Sequence, residues 1–189
     1  MLGVTRAGDN TGAMRVVGLL RGVNLGPNRR LKMADLRAAV ESLGHTDVET
    51  YLQSGNVVFT PAGRSKDLGA GITAALKDAV GMDVGVLTRT GAQMAKIVAA
   101  NPYDREDPTK VVVTFLVRAA DASPAKEIDL PSFAPEDLTV RGTEIYFDLP
   151  HGQARSKLLE ALGKRKGFGA IATSRNWRTV LALAEMSRS

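Results

Sequence analysis

The chain contains no cysteine. Disulfides, thiolate nucleophiles and cysteine metal sites are therefore excluded together. Histidine occurs only as His45 and His151. A zinc site of the usual kind would lack ligands, and a Ser-His-Asp arrangement would have to use one of these two. Neither a metal nor a cofactor is expected. Aromatics make up 5% of the residues, with Trp177 the single tryptophan. No apolar run approaches the ~18 residues that span a bilayer, so no membrane partner is expected. Residues 1–13 lack the apolar core of a signal peptide. They are small and polar and read as a disordered tail, and the protein is expected in the cytoplasm.

What is present is an ordinary globular composition. The 189 residues are 44% apolar, enough for a real core in one large domain or two small ones. The net charge of +5 is modest but unevenly placed. From Pro150 onward eight cations face only Glu160 and Glu185. A basic end of this kind points to an acidic partner.

Strand and helix patterns alternate from Met14. The run Arg15 to Arg21 is apolar on both faces, as in a strand covered on both sides. Met33, Leu36, Val40 and Leu43 form a helical stripe that stops at Gly44, and His45 just beyond reads as structural. Strands follow at about Val48–Gln53 and Asn56–Thr60, joined at Ser54-Gly55. A helix over about Lys66–Val80 and a strand over Val84–Thr88 complete the order strand-helix-strand-strand-helix-strand. That is the ferredoxin-like motif. Helices cover one face of such a sheet, so the second half or a second copy of the chain, as a homodimer, must cover the other. The fold class is α+β: a ferredoxin-like N-terminal subdomain over 14–90, packed against a second small α+β subdomain over 91–189.

In the second half, Thr90 and Gln93 form a capping box for a helix over Gly91–Ala99. A strand is expected at Val111–Val117 and a hairpin at Leu138–Leu149. Helices are expected at about Ala154–Leu162 and Arg175–Met186, the second capped by Thr173 or Ser174. Between them lies the basic, glycine-punctuated stretch Lys164 to Gly169. No convincing internal repeat is visible.

Two groups of residues could carry chemistry. In the expected topology the loop after strand one and the hairpin between strands two and three share one end of the sheet, roughly 10 Å apart. That brings Arg21, Asn24 and Asn28 toward Gln53, Ser54 and Asn56, a set of groups able to hold a polar ligand. The same residues also make good turns. The second group is cationic. Arg155 and Lys157 open one C-terminal helix, and Arg175, with Asn176 and Arg178, opens the other. Cations at a helix N-terminus oppose the dipole by ~0.3–1 kcal/mol each, whereas an anion would satisfy both the cations and the free N–H groups. The stretch Arg21 to Gly26 lacks the spacing of a phosphate-binding fingerprint.

The segments Leu19-Leu20-Arg21-Gly22-Val23-Asn24, Lys32-Met33-Ala34-Asp35-Leu36 and Tyr51 through Phe59 resemble the family called domain of unknown function 1697. So do Asn101-Pro102, Gly152 through Leu158, and Thr173-Ser174-Arg175-Asn176-Trp177. The resemblance covers about Met14 to Met186. It implies a small bacterial α+β protein of two subdomains, the first ferredoxin-like, and carries over no catalytic residue. The leading functional expectation is a binding module for an anionic ligand, a nucleotide or a nucleic acid. The alternatives are an enzyme on a small phosphorylated or acidic substrate, and a structural or dimerisation protein.

Overall fold

The computed structural model describes residues 14–24, 30–63, 67–164 and 172–188. The N-terminal tail, residues 25–29 including Asn28, and the basic stretch from Arg165 to Gly169 lie outside the described residues. Among the described residues eight strands form two antiparallel four-stranded sheets. The first holds β1 (Val16–Leu20), β2 (Thr46–Thr50), β3 (Asn56–Thr60) and β4 (Val86–Thr90), in the order β2-β3-β1-β4. The second holds β5 (Val111–Phe115), β6 (Asp137–Arg141), β7 (Glu144–Asp148) and β8 (Thr173–Asn176), in the order β6-β7-β5-β8. The helices are α1 (Met33–Glu41), α2 (Leu68–Val80), α3 (Gly91–Ala99), α4 (Ser123–Lys126), α5 (Lys157–Lys164) and α6 (Trp177–Met186). Among the described residues no helix is long and apolar enough to cross a membrane.

The sheets stack face to face. Strand residues alternate between faces, so β1 divides its side chains between two cores. Val16 and Leu20 pack with Leu36 and Val40 of α1 and Ile72 and Leu76 of α2. Val17 and Leu19 turn the other way and join Val113, Phe115 and Tyr146 of the second sheet. The same middle core takes Met94 and Ile97 from α3 and Val180 and Leu183 from α6, with Trp177 partly buried against it. A third core, on the far face of the second sheet, packs Val112, Ile145 and Phe147 against Leu158 and Leu162 of α5. The two-sided apolar character of β1 thus has its physical reason: the second half covers the open face of the first sheet.

The two halves share one plan. In each, the strand order is the same, and the last strand runs directly into a helix. Val16 pairs with Thr90 and Leu19 with Asn56; Val112 pairs with Asn176 and Phe115 with Glu144. These registers make Arg89 of β4 the counterpart of Arg175 of β8, and Asn56 the counterpart of Glu144. The middle core matches too, with Val17 and Val113, Leu19 and Phe115, and Met94 and Val180 in equivalent places. An internal repeat is therefore present in the structure, although the sequence showed none. Equivalent positions share burial rather than residue type.

The C-terminal region departs most from expectation. The segment 173–176 is a strand, and α6 begins at Trp177 with Asn176 as its cap, whose side chain accepts from the Thr179 N–H at 2.9 Å. Arg175 is thus a strand residue and does not open a helix. Likewise Gln153–Arg155 is a separate single turn, and α5 starts two residues later, at Lys157.

Candidate functional site

The two sheet-end loops do meet, as the topology required. Asn24, at φ 57°, donates from Nδ2 to the carbonyls of Leu31 and Gln53, and its Oδ1 accepts from the Leu31 N–H at 2.8 Å. Asn56 is fully buried and donates to the Tyr51 carbonyl at 2.8 Å and to Ser54 Oγ at 2.9 Å. Gly55, at φ 73°, tucks beneath Val23, where a Cβ would lie 2.5 Å from Val23 Cγ2. Only glycine fits that turn.

Arg175 completes this group from the other half. Its Nε donates to Asn56 Oδ1, and its Nη1 to Thr173 Oγ1 at 2.7 Å and the Ser174 carbonyl at 2.8 Å. Its Nη2 faces the carbonyls of Leu20, Gly55 and Ser54 at 2.9, 3.1 and 3.2 Å. Burial pushes its pKa down to about 10, so it stays a cation at neutral pH. Five of the predicted residues, Asn24, Gln53, Ser54, Asn56 and Arg175, are thereby brought together in one clasp between the sheets. Their hydrogen bonds run to the protein's own carbonyls, amides and hydroxyls. Asn176 is occupied in capping α6.

The cationic start of α5 has an anion of the chain's own. The buried Glu136 carboxylate accepts from Ser156 Oγ at 2.7 Å, the Leu158 N–H at 2.9 Å and the Lys157 N–H at 3.1 Å. It answers the orphan donors and the positive helix end together. Arg155 and Lys157 are themselves exposed. The leucines of α5 lie in the core on the far face of the second sheet, whereas Val180 and Leu183 of α6 lie in the middle core. The two helices thus pack on opposite faces of the second sheet. Arg175 is withdrawn from the anion site expected with Arg155, Lys157 and Arg178, because it lies in β8 and its guanidinium is engaged in the clasp.

A cleft of about 1150 Å³ opens instead between α2 and β4. Arg21 stands at one side, with Lys77 and Thr73 on α2, Thr88 and Arg89 on β4, and Val117 from the second half. Val86 and Leu87 of β4 also line it, and both are buried. Asp67 and Asp83 also line it. Asp67 caps α2 by accepting from the Ala70 N–H at 2.9 Å. Gly69 lets α2 lie against the strand, since a Cβ there would sit 2.3 Å from the Val86 carbonyl oxygen. Of the predicted site residues only Arg21 lines this cleft. Lys77 gave no sequence signal, because a lysine in the last turn of a helix is ordinary. Arg89 was not singled out either, because the strand expected there ended at Thr88; it lies on the same side of β4 as Leu87.

Arg89 forms the second clasp. Its Nε donates to Glu144 at 2.9 Å, Nη1 to the Thr88 carbonyl at 2.9 Å and Nη2 to the Leu116 carbonyl at 2.8 Å. Leu116 is the counterpart of Leu20. Each half therefore sends one arginine to the same pair of places in the other, the reciprocity of an isologous packing of two copies.

Two further polar groups are structural in their contacts. The Tyr103 hydroxyl bonds Asp137 and Thr139 at 3.1 and 3.0 Å, and Arg105 forks onto buried Asp148. Together they hold the 101–110 segment over the second sheet. His45 stacks on Phe59 at 4.7 Å between ring centroids, and its Nδ1 accepts from the Ala62 N–H at 3.1 Å. Among the described residues no group of three or more His, Asp or Glu is placed to hold a metal ion.

The structure is similar to that of the conserved bacterial protein SP0830 from Streptococcus pneumoniae. The TM-score is 0.76 at 23% identity, over 93% of this chain and 99% of that one. No curated protein matches the chain. The model of the family described as a protein of unknown function, DUF1697, matches residues 14–146, and the chain belongs to that family.

Proposed function

We propose that the protein binds an anionic small molecule of nucleotide type in the cleft between α2 and β4. The observation that carries this reading is the composition of that cleft. A volume of about 1150 Å³ is a little above the ~300–1,000 Å³ usual for small-molecule sites and is ample for a nucleotide. Val86, on the α2 side of the sheet, offers an apolar contact, while Arg21 and Lys77 suit phosphate oxygens. Thr73 and Thr88 supply hydroxyls for orientation. A cleft lined in this way favours a single nucleotide over a polymer, which needs a charged track along the backbone.

Titration of ATP into the full chain tests the reading. Lys77→Ala and Arg21→Ala are each expected to weaken binding roughly fivefold or more, since each removes a charge-assisted contact. Arg155→Ala with Lys157→Ala is expected to leave it unchanged. Binding lost in the second variant and kept in the first two would overturn the proposal, as would no binding by the wild type. A steep loss of affinity for single-stranded oligonucleotides with salt, at equal strength to ATP, would point to a nucleic-acid ligand instead.

A further inference from the structure

Arg89 and Arg175 occupy equivalent places in the two halves, yet they are not equally used. Arg175 has acceptors for all its guanidinium donors, two on Nη1 and three around Nη2. Arg89 engages Glu144 with Nε and one carbonyl with each terminal nitrogen. A guanidinium carries five N–H donors. Among the described residues Arg89 therefore keeps one N–H on Nη1 and one on Nη2 without an acceptor. Its side chain is 10% exposed, and its guanidinium carbon sits 5.7 Å from the centroid of the Phe115 ring. Those contacts fix the plane of the group. It also lines the cleft.

We infer that Arg89 is the group that reads the ligand's anion, with its two remaining N–H donors taking two oxygens of one phosphate. The inference rests on the cleft being the ligand site. Glu144 has two effects on this contact. At 2.9 Å from Nε it holds the guanidinium in orientation, and its charge opposes the incoming phosphate. The other clasp shows that the architecture does not need that charge, because neutral Asn56 fills the same place beside Arg175. The carboxylate at 144 thus moderates affinity at a site that its counterpart lacks.

The test is titration of the full chain with ATP. Glu144→Gln keeps an acceptor for Nε and removes the charge, and it is expected to bind ATP roughly fivefold more tightly. Unchanged or weaker binding in a folded Glu144→Gln protein would overturn the inference. A second measurement needs no substitution. In arginine side-chain nitrogen spectra of the wild type, the Arg89 signals are expected to shift on adding ATP while those of Arg175 stay in place. Arg89 signals that do not move, in a protein whose ATP binding still depends on Lys77, would end the role of Arg89 and leave the cleft site standing. Binding indifferent to both Lys77 and Arg21 would end both.

Discussion

Arg175 shows how a residue chosen for one chemistry can serve another. The sequence singled it out as a cation without an obvious partner, and that much was legible. What the sequence could not display is that its partners are carbonyl oxygens of Leu20, Ser54 and Gly55, more than a hundred residues away. Backbone acceptors leave no trace in residue type. Replacing Arg175 with Met would remove the guanidinium donor from Asn56 Oδ1 and from each of those carbonyls inside the protein. The expected loss is about 2–4 kcal/mol of unfolding free energy, read by chemical denaturation. A loss under about 0.5 kcal/mol, typical of a surface change, would refute the clasp. His45 carries a smaller, pH-dependent effect. Burial holds its pKa below the ordinary 6.5, and its Nδ1 must be unprotonated to accept from Ala62. The unfolded chain therefore takes up the proton first, and His45's contribution is present above pH 6.5 and lost as pH falls below it. Thermal unfolding of His45→Gln should show a shallower decline on acidification than the wild type; parallel curves would remove His45 from the account.

At the scale of elements, the longer helices and the apolar strands could be read from periodicity, and the capping box of Thr90 and Gln93 is present as expected. The miss was β8. Thr-Ser-Arg-Asn is four residues long and polar, so it shows neither the apolar run nor the alternation by which strands are recognised. Its buried positions, Thr173 and Arg175, are hydrogen-bonding side chains that satisfy the interior by other means. The start of α5 was missed for a related reason, since its true cap is a distant carboxylate. Glu136 lies about twenty residues upstream, beyond the reach of any local capping signature. Substituting Glu136 with Gln keeps the shape and removes the charge that faces two N–H groups and Ser156 Oγ. A loss of roughly 1–2 kcal/mol is expected in denaturant unfolding, whereas Glu127→Gln, on an exposed side chain, should change nothing. Equal effects at both positions would contradict the capping role.

For the whole molecule, the organising fact is one plan used twice, with a shared middle core and two reciprocal arginines. Only half of this was visible in the sequence. The strand-helix order of the first half and the need to cover its second face followed from the apolar pattern of β1. The duplication did not, because Asn56 stands against Glu144 and Met94 against Val180, so equivalence is one of place. The shared core predicts that residues 14–90 expressed alone will not give a soluble, cooperatively folding monomer, since Val17, Leu19, Val58 and Leu87 would face water. A cooperative unfolding transition from that fragment would contradict the shared core. The cleft is built by the same arrangement, with α2 and β4 from one half and Val117 from the other. Methyl-resolved NMR during addition of ATP tests that central claim most directly. Shifts concentrated at Val86, Leu87, Thr88 and Val117, saturating together, are the predicted result. Shifts centred on the segment from Arg155 to Leu158, with the cleft methyls still, would contradict it.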